Sequence, residues 1–276
     1  MVLQESNMKE LRTVELEMLR SFVQVCESLD LKYYVLYGTL LGAVRHHGFI
    51  PWDDDIDIGM MREDYECFIK KAPQYLPDYY FVQCLASDKE YTMNMAKLRD
   101  SRTTFIETSV KGFNINHGVY IDILPLDFYP KGKMEAKIFE FKKRLYSQAV
   151  RSEYLLQTSA NAGQKVIAKV AHFMMKSGKN AAQKLSNLFQ EQHPSNYVIS
   201  NCGPWGNKKE IMPYEWYGDG ITVQFEGLDV NAPECTQKWL EHMYGNYMQL
   251  PPEEKRVTHH YTEVIDLHHS YKEYKK

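Results

Sequence analysis

No apolar run in the sequence approaches the roughly 20 residues that a membrane-spanning helix needs, and there is no internal repeat or low-complexity tract. The opening Met1-Val2-Leu3-Gln4-Glu5 lacks the basic-then-apolar order of a signal peptide, so a cytoplasmic location is expected. Cysteine is scarce. Cys26, Cys67, Cys84, Cys202 and Cys235 are odd in number and show no C-x-x-C spacing, which points to neither a disulfide framework nor a zinc centre. Positive charge is not in excess either: 33 Lys and Arg against 36 Asp and Glu leave a formal net charge of −3, so no nucleic acid is expected to be held by overall electrostatics. The histidine pairs 46–47, 259–260 and 268–269 have no third ligand spaced with them, and adjacent histidines diverge on a helix or strand.

What is present is an ordinary globular composition over 276 residues, 44% hydrophobic and 25% charged, long enough to bury a real core. Apolar positions recur at helical spacing from Met8 to Leu29. A short strand is expected over Tyr33–Tyr37, then a turn at Gly38-Thr39 opening a helix to His46. Next, Asp53-Asp54-Asp55-Ile56-Asp57-Ile58-Gly59-Met60 alternates apolar and acidic side chains, the pattern of a strand with one acidic face. A helix is expected over Glu63–Ala72 and strands over Tyr79–Leu85, Met93–Leu98, Thr103–Glu107 and Val119–Leu124. Helical spacing dominates Lys133–Gln192, a hairpin is expected across Thr222–Val230, a helix over Pro233–Tyr244, and a less ordered polar tail after Pro251-Pro252.

Asp55 and Asp57, two apart on a strand, face one side with Cα atoms roughly 6–7 Å apart. Two carboxylates at about 6 Å repel by on the order of 3 kcal/mol at an effective dielectric of ~20. A fold accommodates that in open water or around a cation, and the alternation with Ile56 and Ile58 argues against an open strand. Asp122, within the apolar run Tyr120-Ile121-Asp122-Ile123-Leu124, is a third candidate. If the two strands are neighbours, the three carboxylates converge on one or two hard divalent ions, for which magnesium is suited. Otherwise Asp122 is a hydrogen-bonded core acid. An EF-hand fits badly, because the required glycine and glutamate positions hold Ile58 and Asp64. At the Gly38-Thr39 turn, backbone N–H groups at a helix start form a weak phosphate cradle, with Arg45 and His46 about two turns on as cationic candidates.

The stretch from Tyr37-Gly38-Thr39-Leu40-Leu41-Gly42 through Phe49-Ile50-Pro51-Trp52 to Asp53-Asp54-Asp55-Ile56-Asp57-Ile58 closely resembles the LicD family of phosphotransferases. Supporting pieces are Tyr120–Asp127, Phe225-Glu226-Gly227 and Tyr244–Pro252, so the likeness spans about residues 10–260. The resemblance implies an α+β, nucleotidyltransferase-like fold, a mixed sheet flanked by helices with a helical subdomain. The expected division is a catalytic core over 1–128, a helical insertion over 129–196, and a C-terminal part, 197–276, completing the domain. It also implies Gly38 and Thr39 at the glycine turn, Asp55, Asp57 and Asp122 as catalytic and metal-binding carboxylates, and magnesium, with manganese as the alternative ion. The implied reaction moves phosphocholine from CDP-choline to a cell-surface glycan or teichoic-acid precursor and releases CMP. Asp122 stands either as metal ligand or as the base for the acceptor hydroxyl. Two other outcomes stay open, a nucleotidyltransferase that places NMP on an acceptor and a non-catalytic glycan-binding relative.

Quaternary ammonium groups bind aromatic faces. Trp52 beside the acidic strand is the substrate-binding candidate, and Trp205, Tyr214, Trp216 and Tyr217 form an aromatic cluster for which core packing is the better reading of any single ring. The segment Tyr154–Gln190 carries five lysines and no acid; it reads first as a solvated helix face and secondly as a peripheral membrane contact.

Overall fold

The computed structural model describes residues 5–157, 177–203, 207–258 and 260–274. The amphipathic spacing at the start gives helix α1 (Glu5–Leu29), with Leu11, Met18, Leu19 and Phe22 fully buried. Strand β1 (Tyr34–Val35) is shorter than its aromatic run, because Tyr37 already begins helix α2 (Tyr37–His46) with a left-handed φ of 47°. Strand β2 (Asp57–Met61) leads directly into α3 (Arg62–Lys71). Then come β3 (Tyr80–Gln83), β4 (Ala96–Asp100), β5 (Thr104–Glu107) and β6 (Val119–Phe128). Among the described residues two helices follow, α4 (Lys133–Gln157) and α5 (Gly178–Gln190), the second capped by Ser177, whose hydroxyl accepts from the Asn180 N–H at 3.1 Å.

The chain returns to the sheet through β7 (Tyr197–Ser200), the short helix α6 (Asn207–Glu210) and β8 (Ile211–Pro213). A hairpin of β9 (Ile221–Phe225) and β10 (Leu228–Ala232), helix α7 (Thr236–Tyr244) and strand β11 (Thr262–Asp266) complete it. The sheet runs β1-β2-β6-β4-β3, with β2 and β6 parallel and the other pairs antiparallel. Strand β6 is central and buried along nearly its whole length, which accounts for its apolar sequence. It pairs with β4 over its first half and with β7 over its last three residues. Pro125, which has no N–H to give, lies where β4 has ended and β7 has not begun. Helix α1 packs on β6, and α3 on β2 and β6.

The mixed sheet with flanking helices is the α+β architecture expected. The tail differs from expectation. Beyond Pro251-Pro252 the chain does not trail away but forms β11, which pairs with β5 and satisfies an edge that its polar composition gave no reason to foresee. Among the described residues, no helix is long and apolar enough to cross a membrane.

Candidate active site

Asp57 lies directly opposite Asp122 in the parallel β2–β6 ladder, and Lys97 lies opposite Asp122 on the other side. Residues facing each other across strands project to the same face with Cβ atoms about 4.5–5.5 Å apart. The three therefore form a charged row across three strands. Lys97 Nζ stands 2.6 Å from Asp122 Oδ1, with both side chains buried, and 3.4 Å from the centroid of Tyr120. The Asp122 N–H donates to the Ile56 carbonyl at 2.8 Å, which extends the pairing of the acidic segment one residue beyond β2.

The loop before β2 is held from several directions. Arg12 of α1 donates from Nη2 to the carbonyls of Ile50 (2.8 Å) and Asp53 (2.7 Å). Glu226, at the β9–β10 turn, accepts from the Phe49 N–H at 3.1 Å and donates its own N–H to the His47 carbonyl at 3.0 Å. Gly38 has no side chain because the Asp53 carboxylate occupies the space where a Cβ would stand. Thr39 accepts from the Asp57 N–H at 2.8 Å, fixing the first residue of β2 to the start of α2.

Asp53, Asp54 and Asp55 present oxygens within 4.8 Å of one another. His260, just before β11, meets Asp54 Oδ1 at 3.1 Å and has Nε2 4.0 Å from Asp55 Oδ2. Burial alone would lower the His260 pKa, but the Asp54 hydrogen bond and the Asp55, Asp54 and Glu107 charges raise it to about 9. Burial, then the Asp55, Asp122 and Asp53 charges, pushes the Asp57 carboxyl well above the usual range, and Lys97 opposes them. Asp53 is raised by burial and by Asp55 and Asp54; Asp55 is raised by burial, with His260 opposing. Glu15 of α1 is buried, and its carboxyl is raised by burial and by Asp55, Asp54 and Asp53. The buried Glu15 Oε2 and Asp54 Oδ2 have no hydrogen-bond partner. An all-oxygen donor set whose members repel one another, with oxygens left unpartnered, fits a hard divalent cation.

Asp53, Asp55, Asp57 and Asp122, together with Gly38, line a cavity of about 920 Å³. Arg45, Lys255, Trp52, Tyr244 and Tyr247 line it as well. Of the residues expected from sequence, Asp55, Asp57, Asp122, Gly38, Arg45 and Trp52 thus meet in one cavity. Thr39 is buried and turned to the Asp57 backbone, and His46 stands edge-on to Trp52, ring centroids 6.5 Å apart, outside the lining. The aromatic cluster also lies elsewhere: Tyr214 packs on Phe128, Trp216 on His242, and Tyr217 is buried, while Trp205 falls outside the described residues. His259 and residues 158–176 of the lysine-rich segment fall outside them too.

Lys97, Arg12, Glu15 and His260 did not emerge from the sequence. A lysine in the buried run Ala96-Lys97-Leu98 was the available signal, since a cation in a core strand requires an anion.

Residues 30–166 match the family described as LicD/FKTN/FKRP, nucleotidyltransferase domain. The chain is 32% identical over 273 residues to the lipopolysaccharide cholinephosphotransferase LicD of Haemophilus influenzae, covering 94% of this chain and 98% of that protein. A shorter stretch of 48 residues is 46% identical to the ribitol 5-phosphate transferase FKRP of human and mouse, 17% of this chain and 10% of theirs. The mixed sheet, the charged row across it and an alignment running nearly end to end agree, and the chain belongs to the LicD family, with a nucleotidyltransferase-like fold.

Proposed function

We propose that the protein transfers phosphocholine, or a similar alcohol phosphate, from a CDP-linked donor to a hydroxyl of a glycan, releasing CMP. The observation that carries this reading is the single cavity in which four aspartates, Asp53, Asp55, Asp57 and Asp122, meet Arg45, Lys255 and the rings of Trp52, Tyr244 and Tyr247. The relatives named as cholinephosphotransferase and ribitol 5-phosphate transferase support the same class of reaction.

Asp53, Asp55 and Asp57 are the residues that would hold magnesium or manganese. Such an ion neutralises a diphosphate and the charge on a departing phosphate. Arg45 and Lys255 meet the remaining phosphate charge from the rest of the lining. Lys97 cancels the charge of Asp122, so a polyanionic donor meets less repulsion from that part of the wall. The acceptor oxygen attacks the phosphorus next to the choline ester, the bond to the CMP phosphate oxygen breaks, and the acceptor proton leaves to a carboxylate. We assign that proton to Asp122, which lines the cavity with Oδ1 engaged by Lys97. Trp52, Tyr244 and Tyr247 line the same cavity, and aromatic rings are the side chains that bind a quaternary ammonium.

The test is a screen of CDP-choline, CDP-glycerol and CDP-ribitol with magnesium and a glycan acceptor, read by CMP release and by product mass. CMP release that stops in EDTA, with phosphocholine on the product, is expected. NMP on the product would make the protein a nucleotidyltransferase, and release unchanged by EDTA would remove the metal from the reaction.

A further inference from the structure

Helix α4 turns one side inward. Phe139 packs with Leu185, Leu188 and Phe189, and Ala149 with Ala181 of α5. Over its first turns the face turned away from Phe139 carries Met134, Ile138, Phe141 and Leu145, which are 68%, 49%, 71% and 39% exposed. Their spacing of four, three and four residues brings all four within an arc of about 60° at ~100° per residue. A solvated helix face is ordinarily polar, so an apolar stripe three turns long marks a surface that a partner covers.

The charges beside the stripe identify the partner. Lys133, Lys137, Arg144 and Arg151 are exposed along one border and Lys142 along the other. Over residues 133–151 the acids are Glu135, which accepts from the Gly132 N–H at 3.2 Å, and the half-buried Glu140, 3.8 Å from Lys143 Nζ, so the strip remains net basic. This basic strip is local, because the whole chain is net negative at −3. A second copy of the chain is a poor occupant, since pairing two stripes would bring the basic borders of both together.

We propose that α4 docks on an anionic bilayer, with Met134, Ile138, Phe141 and Leu145 at the boundary of headgroups and acyl chains and the flanking lysines and arginines against lipid phosphates. Helices with an apolar face and basic flanks lie in the interface plane. Each basic residue near an anionic surface strengthens such binding roughly fivefold. The stripe shares no residue with the acidic cavity, so this docking surface stands independently of the reaction proposed above.

Sedimentation of the full chain with vesicles tests it, comparing phosphatidylcholine alone with phosphatidylcholine containing phosphatidylglycerol. The chain sediments with the anionic vesicles, is released by high salt, and stays in solution with the neutral ones. The double variant Ile138→Ser, Phe141→Ser loses at least about tenfold in partitioning, and Lys137→Glu, Arg144→Glu loses at least about 25-fold, with unchanged circular dichroism in both. No sedimentation of the parent chain with anionic vesicles overturns the proposal, as does equal sedimentation of the serine variant. A parent dimer in light scattering that the serine substitutions convert to monomer assigns the stripe to a second copy and overturns it as well.

Discussion

Lys97 Nζ lies 2.6 Å from Asp122 Oδ1 and 3.4 Å from the Tyr120 ring centroid, so one buried ammonium is shared between a carboxylate and an aromatic face. Removing either charge alone leaves the other buried without its partner, which costs about 3–5 kcal/mol. Lys97→Met is therefore expected to destabilise the fold by that order in urea unfolding. Lys97→Met with Asp122→Asn restores most of the loss, while CMP release stays abolished in both. A single Lys97→Met with parent stability would show that the pair contributes little to folding.

Gly38→Ala separates folding from chemistry. Gly38 lies within α2 with an ordinary backbone, where alanine is favoured by up to about 1 kcal/mol. The new methyl, however, occupies the position of the Asp53 carboxylate. The expected outcome is an unfolding midpoint close to the parent and turnover lowered by about 100-fold, the scale of a displaced active-site group. Equal turnover would mean that Asp53 need not stand where it does.

These two positions illustrate what the sequence makes legible. Asp57 and Asp122 were readable because a strand alternates faces, so an acid in an apolar run announces which side is functional. Their pairing was not, since register between strands 65 residues apart depends on the whole sheet. Gly38 was legible as a turn glycine, although its reason for being glycine is the Asp53 side chain rather than a helix start. Arg12, Glu15 and His260 lie in α1 or beside β11, and no local pattern ties them to the Asp53–Asp55 loop, about 40 and about 200 residues away along the chain. The polar tail departs from its expected disorder for the same reason, because its order comes from the edge of β5 and not from its own composition.

Glu15 gives a pH dependence with a definite sign. Burial first, and the Asp55, Asp54 and Asp53 charges next, raise its carboxyl well above the unfolded value near ~4.3. A group raised on folding contributes stability that is fully present below its unfolded pKa and is lost as pH rises through its folded one. Glu15→Gln, which cannot ionise, is thus expected to match the parent in mild acid and to exceed it increasingly above, by up to about 1.4 kcal/mol per pH unit until the folded pKa is passed. Urea unfolding of both proteins in EDTA, from mild acid to mild alkali, measures this. Parallel pH curves would mean that Glu15 finds a compensating partner.

Trp52 bears on the identity of the donor. It lines the cavity beside the acidic wall, and the Arg256 guanidinium already stands over its ring with Cζ 5.6 Å from the centroid, so the indole faces a cation in the protein as it stands. A trimethylammonium on the donor would gain about 0.5–2 kcal/mol from such a ring, a factor of about 2–30 in affinity. Trp52→Ala is expected to raise KM for CDP-choline by a factor in that range with kcat nearly unchanged, and to leave KM for CDP-glycerol almost where it was. The comparison matters more than the size of the effect. Loss of packing at the cavity rim would weaken both donors together, whereas a contact with the ammonium discriminates between them, because glycerol offers the indole no positive charge. Equal increases for the two donors would assign Trp52 to shaping the cavity and move the search for the ammonium contact to Tyr244 and Tyr247.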